Sequence, residues 1–261
     1  TPNKQVLEIL GDMPEWLFGS GDLIRNGPGI FEFQNGKFEF SHAFDGIAMV
    51  HKFSFENDAV TYMSNVMFPE IVDAYNRDKG RPTDFLFGQD DETPPSTMDL
   101  IFRNISPIAK NNINLNVHVH NLRGKPVLAS DIAVYFGFDK ETLTRDKKPV
   151  GFGQFIPNLY FATMSTAHPL VDPKTHEYIT FVQSDMRDEY IVLSIPEQGK
   201  GEPRIIGSIR DKKAMVHSFF VTENYVVVPV WPAYFDLMKA LFTRTYTGGM
   251  SWDGSGPSRF H

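Results

Sequence analysis

The sequence predicts an all-β fold of the sandwich, barrel or propeller type, built as one domain over 1–261. Three observations carry that expectation. Short runs rich in Val, Ile, Phe, Tyr and Thr recur along the chain, separated at regular spacing by clusters of Gly, Pro, Asn and Asp. Aromatic residues make up 13%, with 23 Phe, which suits pleated strands or an apolar ligand cavity. An internal echo then favours the propeller. "TAHPLVDPKTHEYITF" (166–181) and "MVHSFFVTENYVVV" (215–228) each set a His, mostly apolar residues, a polar turn and a Tyr leading a β run. Their histidines, His168 and His217, are 49 positions apart, close to the ~40–50 residues of one propeller blade. Equivalent places on the inner strands of neighbouring blades would face one axis and reach one metal ion.

Taken in order, residues 8–18 read as a helical or irregular lead-in broken by Pro14. "RNGPGIF" (25–31) is dense in turn signals and is expected to be loop. Strands follow at 37–41, 47–55 and 59–66. Residues 67–112 differ: helix-compatible stretches surround "GQDDETPPS", an acidic, Pro-rich insertion expected to be exposed and mobile. Further strands are expected at 113–120, 126–136, 159–164, 178–183, 189–195 and 204–210. The last two, 215–221 and 224–230, frame a Thr-Glu-Asn turn and read as a buried hairpin, with His217 at its head.

Composition narrows the function classes. The net charge of −7, with no basic stripe, argues against nucleic acid as a partner. The absence of Cys removes disulfides, Cys-bound zinc and thiol nucleophiles, and fits a reducing compartment. No apolar run approaches a membrane span, and the first residues lack a signal-peptide layout, so the expected location is cytoplasmic.

The candidate chemistry lies in the histidines, because neutral imidazole is a good ligand for Fe, Zn, Cu or Ni. A lone His near apolar residues is more often a satisfied core or turn residue; the paired context of His168 and His217 raises the ligand reading for those two. His118 and His120 alternate in "NLNVHVHNL", so on a strand they share one face. They could chelate, although their flanks resemble a partly solvated edge and favour a structural role. His42, His51 and His176 sit beside turns or charged residues and read as surface or capping groups. Asp45, in a Phe-Asp-Gly turn, reads as a turn residue before a catalytic one, and Asp90-Asp91 as a solvated charge run. No HExxH, Walker A loop, GxSxG elbow or GxGxxG is present.

Five motifs, in order along nearly the whole chain, resemble the carotenoid cleavage oxygenase family, which includes the β-carotene oxygenases and the retinoid isomerase of the retinal pigment epithelium. They are "PEWLFGSGDLIRNGPGIFEF" (14–33), "SHAFDGIAMVHKFSF" (41–55), "TAHPLVDP" (166–173), "MVHSFFVTENYVVV" (215–228) and "GMSWDGSGPSRFH" (249–261). The resemblance implies a seven-bladed β-propeller with Fe(II) on its axis, held by four histidines, which cleaves a conjugated double bond of a carotenoid or apocarotenoid with O2. By motif match it implies His168 and His217 as two of the ligands. Asp131, in "LASDIAV", stands where the family usually has a Glu that orients a ligand imidazole. Being one methylene shorter, it is expected to lose that contact or remake it through water. The family's other two ligand segments would lie beyond residue 261, so the resemblance covers the amino-terminal part of an incomplete propeller. The partners implied are a lipophilic polyene and O2, with weak peripheral membrane contact through the short apolar stretch 97–110. The alternative is a truncated, inactive paralogue that binds polyenes or acts as an interaction protein.

Overall fold

Nearly every strand pairs antiparallel with a close neighbour in sequence, and the resulting sheets stack face to face. The computed structural model describes residues 3–77, 87–88, 98, 114–156, 159, 162–184, 187–243 and 245–261. The expected acidic insertion and the apolar stretch 97–110 therefore lie almost wholly outside the described residues.

The first sheet takes β1 (Gln5–Val6) and β2 (Gly21–Ile30), then, after a small ribbon of β3 (Glu32–Phe33) and β4 (Phe38–Glu39), the long strands β5 (Ile47–Phe55) and β6 (Val60–Val66). Its order is β1-β6-β5-β2. Here the expectation for 25–31 was wrong: "RNGPGI" is strand, in register from Gly21↔Phe55 to Ile30↔Ile47. The turn residues are tolerated for edge-strand reasons. β2 ends the sheet, so Pro28 has no neighbour on its other side demanding an N–H. A register shift between Pro28 and Ile30 absorbs the misfit. Gly29 leaves room for Met49, whose Cβ would lie 2.5 Å from any Cβ placed there. A helix, Pro69–Asn76, follows the sheet with Pro at its start.

The second sheet is a meander of β7 (His118–Leu122), β8 (Lys125–Ala129), β9 (Val134–Asp139) and β10 (Thr144–Arg145), with β11 (Val150–Gly151) also on β9. The single strand expected over 126–136 is two strands. Arg123 and Gly124, both at positive φ (52° and 86°), make the tight turn between β7 and β8. The chain then turns a second corner at 130–133, which carries Asp131. The third sheet has the order β12-β14-β15-β16, from β12 (Ala162–Ser165), β14 (Tyr178–Ser184), β15 (Glu189–Ile195) and β16 (Arg204–Arg210), with the two-residue β13 (Leu170–Val171) on β14. Its three long strands fall where the alternation and turn residues placed them.

Beyond residue 210 the ladders shorten. The expected buried hairpin shrinks to β17 (Phe220–Val221) against β18 (Val226–Val227), and 214–219 has almost no ladder pairing. Its apolar residues still point inward: Ala214, Val216 and Phe219 are buried while His217 is exposed between them. β19 (Pro229–Val230) and β20 (Ala233–Phe235) return to pair with β22 (Arg259–Phe260) and β21 (Met250–Trp252) respectively. Helices Leu237–Thr243 and Tyr246–Gly249 lie between β20 and β21.

Three apolar layers hold these sheets together. Ile47, Val50 and Met63 of the first sheet pack with Leu128, Phe136 and Phe138 of the second. Leu122, Val127 and Tyr135 pack with Tyr178, Val182 and Leu193 of the third. Phe181, Tyr190 and Val192 pack with Val216, Phe219 and Val230. Each sheet thus packs on the next in sequence, the stacking of propeller blades. Among the described residues no helix is long and apolar enough to cross a membrane.

Candidate metal centre

The two histidines matched by their local echo meet in space. His168 follows the end of β12 and His217 lies in the irregular run before β17; their Nε2 atoms are 2.9 Å apart and their rings are nearly perpendicular, at 81°. Two imidazole nitrogens at right angles, each about 2.1 Å from one ion, would stand about 3 Å apart. The pair therefore fits two adjacent ligands of a transition metal.

Asp131 sits behind the pair. Its Oδ2 lies 2.8 Å from His217 Nδ1, and its Oδ1 accepts the Ala167 N–H at 3.0 Å. The contact expected to be lost or water-mediated is direct. The corner at 130–133 brings the shorter carboxylate within reach, and the Asp131 backbone carbonyl accepts the Ser165 N–H at 3.1 Å. A carboxylate can only accept, so His217 carries its proton on Nδ1 and leaves the Nε2 lone pair facing His168. Burial, then the neighbouring His217, holds His168 below the usual imidazole range, which favours the neutral, ligating form.

His118 and His120 do share a face of β7, with rings 4.4 Å apart, and both stand beside the pair. His120 is committed elsewhere: its Nε2 bonds the Ala167 carbonyl at 2.6 Å, and burial brings its pKa down to about 4. His118 faces His168 at 5.3 Å between ring centroids. Among the described residues, no three His, Asp or Glu groups are arranged to hold a metal ion. The donor set is two imidazoles, chemically suited to Fe(II) or a similar ion and filling only part of its coordination shell.

An aromatic cluster approaches the site through Tyr246, which lies close enough to Asp131 to feel its charge. Phe87 stacks on His42 at 5.4 Å, meets Phe44 edge-on, and contacts Tyr246 at 4.8 Å; Tyr246 stacks in turn on Phe235. Burial pushes Tyr246 up to about 12, with the charge of Asp131 adding to it. Asp45 anchors this cluster by accepting the N–H groups of Phe87 and Gly88 at 2.7 and 2.8 Å. That contact, across some 40 residues, was invisible in the Phe-Asp-Gly turn. The other histidines are peripheral. His42 caps its own turn by accepting the Phe44 N–H, and His176 adopts a left-handed turn. His51, expected at the surface, is half-buried and bonded to Tyr62 at 2.7 Å on the paired strand. His261 lies 2.7 Å from Asp211.

A family profile described as "Retinal pigment epithelial membrane protein" matches residues 1–261. The chain is 30% identical to the mitochondrial carotenoid-cleaving dioxygenase of Mustela putorius furo, over 100% of this chain and 49% of that protein. It is 26% identical to the β,β-carotene 15,15'-dioxygenase of Gallus gallus, over 96% of this chain and 49% of that protein. The chain thus spans about half the length of the curated relatives it matches. Among solved structures, a variant of Synechocystis apocarotenoid oxygenase superposes with a TM-score of 0.75 at 20% identity, covering 100% of this chain and 53% of that one. The lignostilbene dioxygenase of Pseudomonas brassicacearum gives 0.70 at 22%, covering 100% and 50%. At such identities these structures speak to the fold, an incomplete β-propeller.

Proposed function

Because the chain belongs to the carotenoid cleavage oxygenase family, that of the retinal pigment epithelial membrane protein, we propose that it builds half the metal centre of an Fe(II)-dependent dioxygenase. The reaction is cleavage of a conjugated double bond in a carotenoid or apocarotenoid with O2. The observation that carries this reading is the convergence of His168 and His217 at 2.9 Å, with Asp131 behind His217. When bound, iron supplies the redox chemistry toward O2. The residues of this chain do the rest of their share by positioning. His168 and His217 offer Nε2 atoms 2.9 Å apart, and Asp131 keeps the proton on His217 Nδ1. Tyr246, close enough to Asp131 to feel its charge, joins Phe87, Phe44 and Phe235 in an aromatic cluster whose apolar surface suits a polyene. A cytoplasmic location with peripheral membrane contact belongs to the same proposal.

Anaerobic Fe(II) loading of the full-length protein, followed by metal analysis, tests the centre: stoichiometric iron is expected, and sub-stoichiometric iron overturns it. His217→Ala should abolish polyene cleavage, read by chromatography of products; retained turnover refutes its role as ligand. A second reading follows from the donor count among the described residues, since two imidazoles alone hold Fe(II) weakly. The chain would then bind a polyene without cleaving it, giving a carotenoid absorbance shift and no products with or without added iron.

A further inference from the structure

The irregular backbone around the histidine pair raises a physical problem: neither His168 nor His217 lies on a strand whose ladder would fix it. Side chains hold these segments instead. Gln183 donates to the Ala214 carbonyl at 2.7 Å, and the Ala214 N–H donates to Tyr190 Oη at 2.8 Å. At the pair itself the tie is Thr166. Its hydroxyl donates to the His217 carbonyl at 2.6 Å and accepts the His168 N–H at 3.0 Å. Thr166 is fully buried, so its hydroxyl has no water to turn to in place of these two partners.

Resting on the reading of His168 and His217 as ligands, we infer that Thr166 is a positioning residue of the metal centre, a strut that sets the separation and tilt of the two imidazoles. Asp131 links the same two segments on the imidazole side, through His217 Nδ1 and the Ala167 N–H. Thr166 links them on the backbone side, across 51 residues of sequence. One link alone leaves a hinge; two links at different points remove it. Ligand geometry tolerates errors of only about 0.5 Å, so the second link acts directly on affinity. The local half of the contact, hydroxyl to the N–H two residues on, is an ordinary Ser/Thr turn. The long-range half is what gives it this role.

The test uses full-length protein and Co(II) as the probe, titrated anaerobically against a competing chelator. The variants are Thr166→Ser, Thr166→Cys and Thr166→Val, with His217→Ala as the reference. Thr166→Ser keeps the hydroxyl and should bind within a few-fold of wild type. Thr166→Val, nearly the same shape without the hydroxyl, should bind roughly 10–100-fold more weakly and shift the Co(II) absorption bands. Thr166→Cys, with a weak donor, should fall between and keeps the series readable if the valine variant does not fold. The metal-induced rise in Tm, measured against each variant's own metal-free form, should shrink in the same order; a merely structural role would lower both forms together. A folded Cys or Val variant with wild-type affinity and spectrum overturns the inference, while loss of binding in His217→Ala leaves the ligand pair standing. If His217→Ala itself binds Co(II) as wild type does, the ligand reading falls first.

Discussion

Asp131 divides its two oxygens between an imidazole and a backbone amide, and both partners need an acceptor. Asp131→Asn keeps the size and withdraws one acceptor. Whichever way the amide turns, an N–H faces either His217 Nδ1–H or the Ala167 N–H. Metal affinity should fall roughly 10–100-fold in competition titrations with Co(II), while far-UV circular dichroism stays near wild type. The candidates His168 and His217 were legible because a His before a polar turn and a Tyr-led strand occurs twice at one spacing. The roles of Thr166 and of the His120–Ala167 contact were not. A Thr beside a His carries no signal of what its hydroxyl meets, and the carbonyl that decides it lies 51 residues away.

At the scale of elements, sheets are bound by side chains that complete each other's unpaired backbone. The flanks of His118 and His120 in "NLNVHVHNL" resembled a partly solvated edge, yet Asn116 is 6% exposed. Its amide donates to the carbonyls of Phe44 and Gly46 at 2.8 and 2.7 Å, while Asn114 accepts the Ala48 N–H and donates to Gly46. These bonds fasten the entrance of β5 and, with it, the turn that carries Phe44 and Asp45. Asn116→Ala leaves the Phe44 carbonyl without this donor and should cost about 1–3 kcal/mol, read as a lower urea midpoint at unchanged slope. Strands β14, β15 and β16 were legible because alternation and turn chemistry agree there. β2 was not, since its Gly and Pro signal a loop wherever the chain lacks a partner, and only pairing with β5 makes them edge-strand residues.

Across the whole molecule, segments far apart in sequence are joined by ion pairs whose worth depends on pH. Asp211, just past β16, takes both Arg259 Nε and Nη2 at 2.5 and 2.6 Å, and His261 at 2.7 Å. The Arg259 guanidinium holds its carboxyl down at about 2. An unfolded Asp titrates near ~4. The pair's contribution is therefore complete above that range and is lost as pH falls from ~4 toward about 2. Asp211→Asn should be less stable than wild type by on the order of 1–2 kcal/mol at pH 7, allowing for solvent around the exposed partners. The difference should vanish in denaturant titrations as pH drops through that window; a gap unchanged down to pH ~2 would refute the linkage. By itself, the sequence determined what is local and periodic: an all-β chain, most strand positions in its third sheet, a family legible in five ordered motifs, and the two histidines. Only the tertiary structure decided that "RNGPGI" is strand, that 214–219 is not, that Asp131 reaches His217 directly, and that Thr166 joins the two histidine segments. The reason is physical. Alternation and turn propensities act over a few residues, whereas hydrogen bonds between stacked sheets depend on how whole layers meet, which no short stretch of sequence encodes.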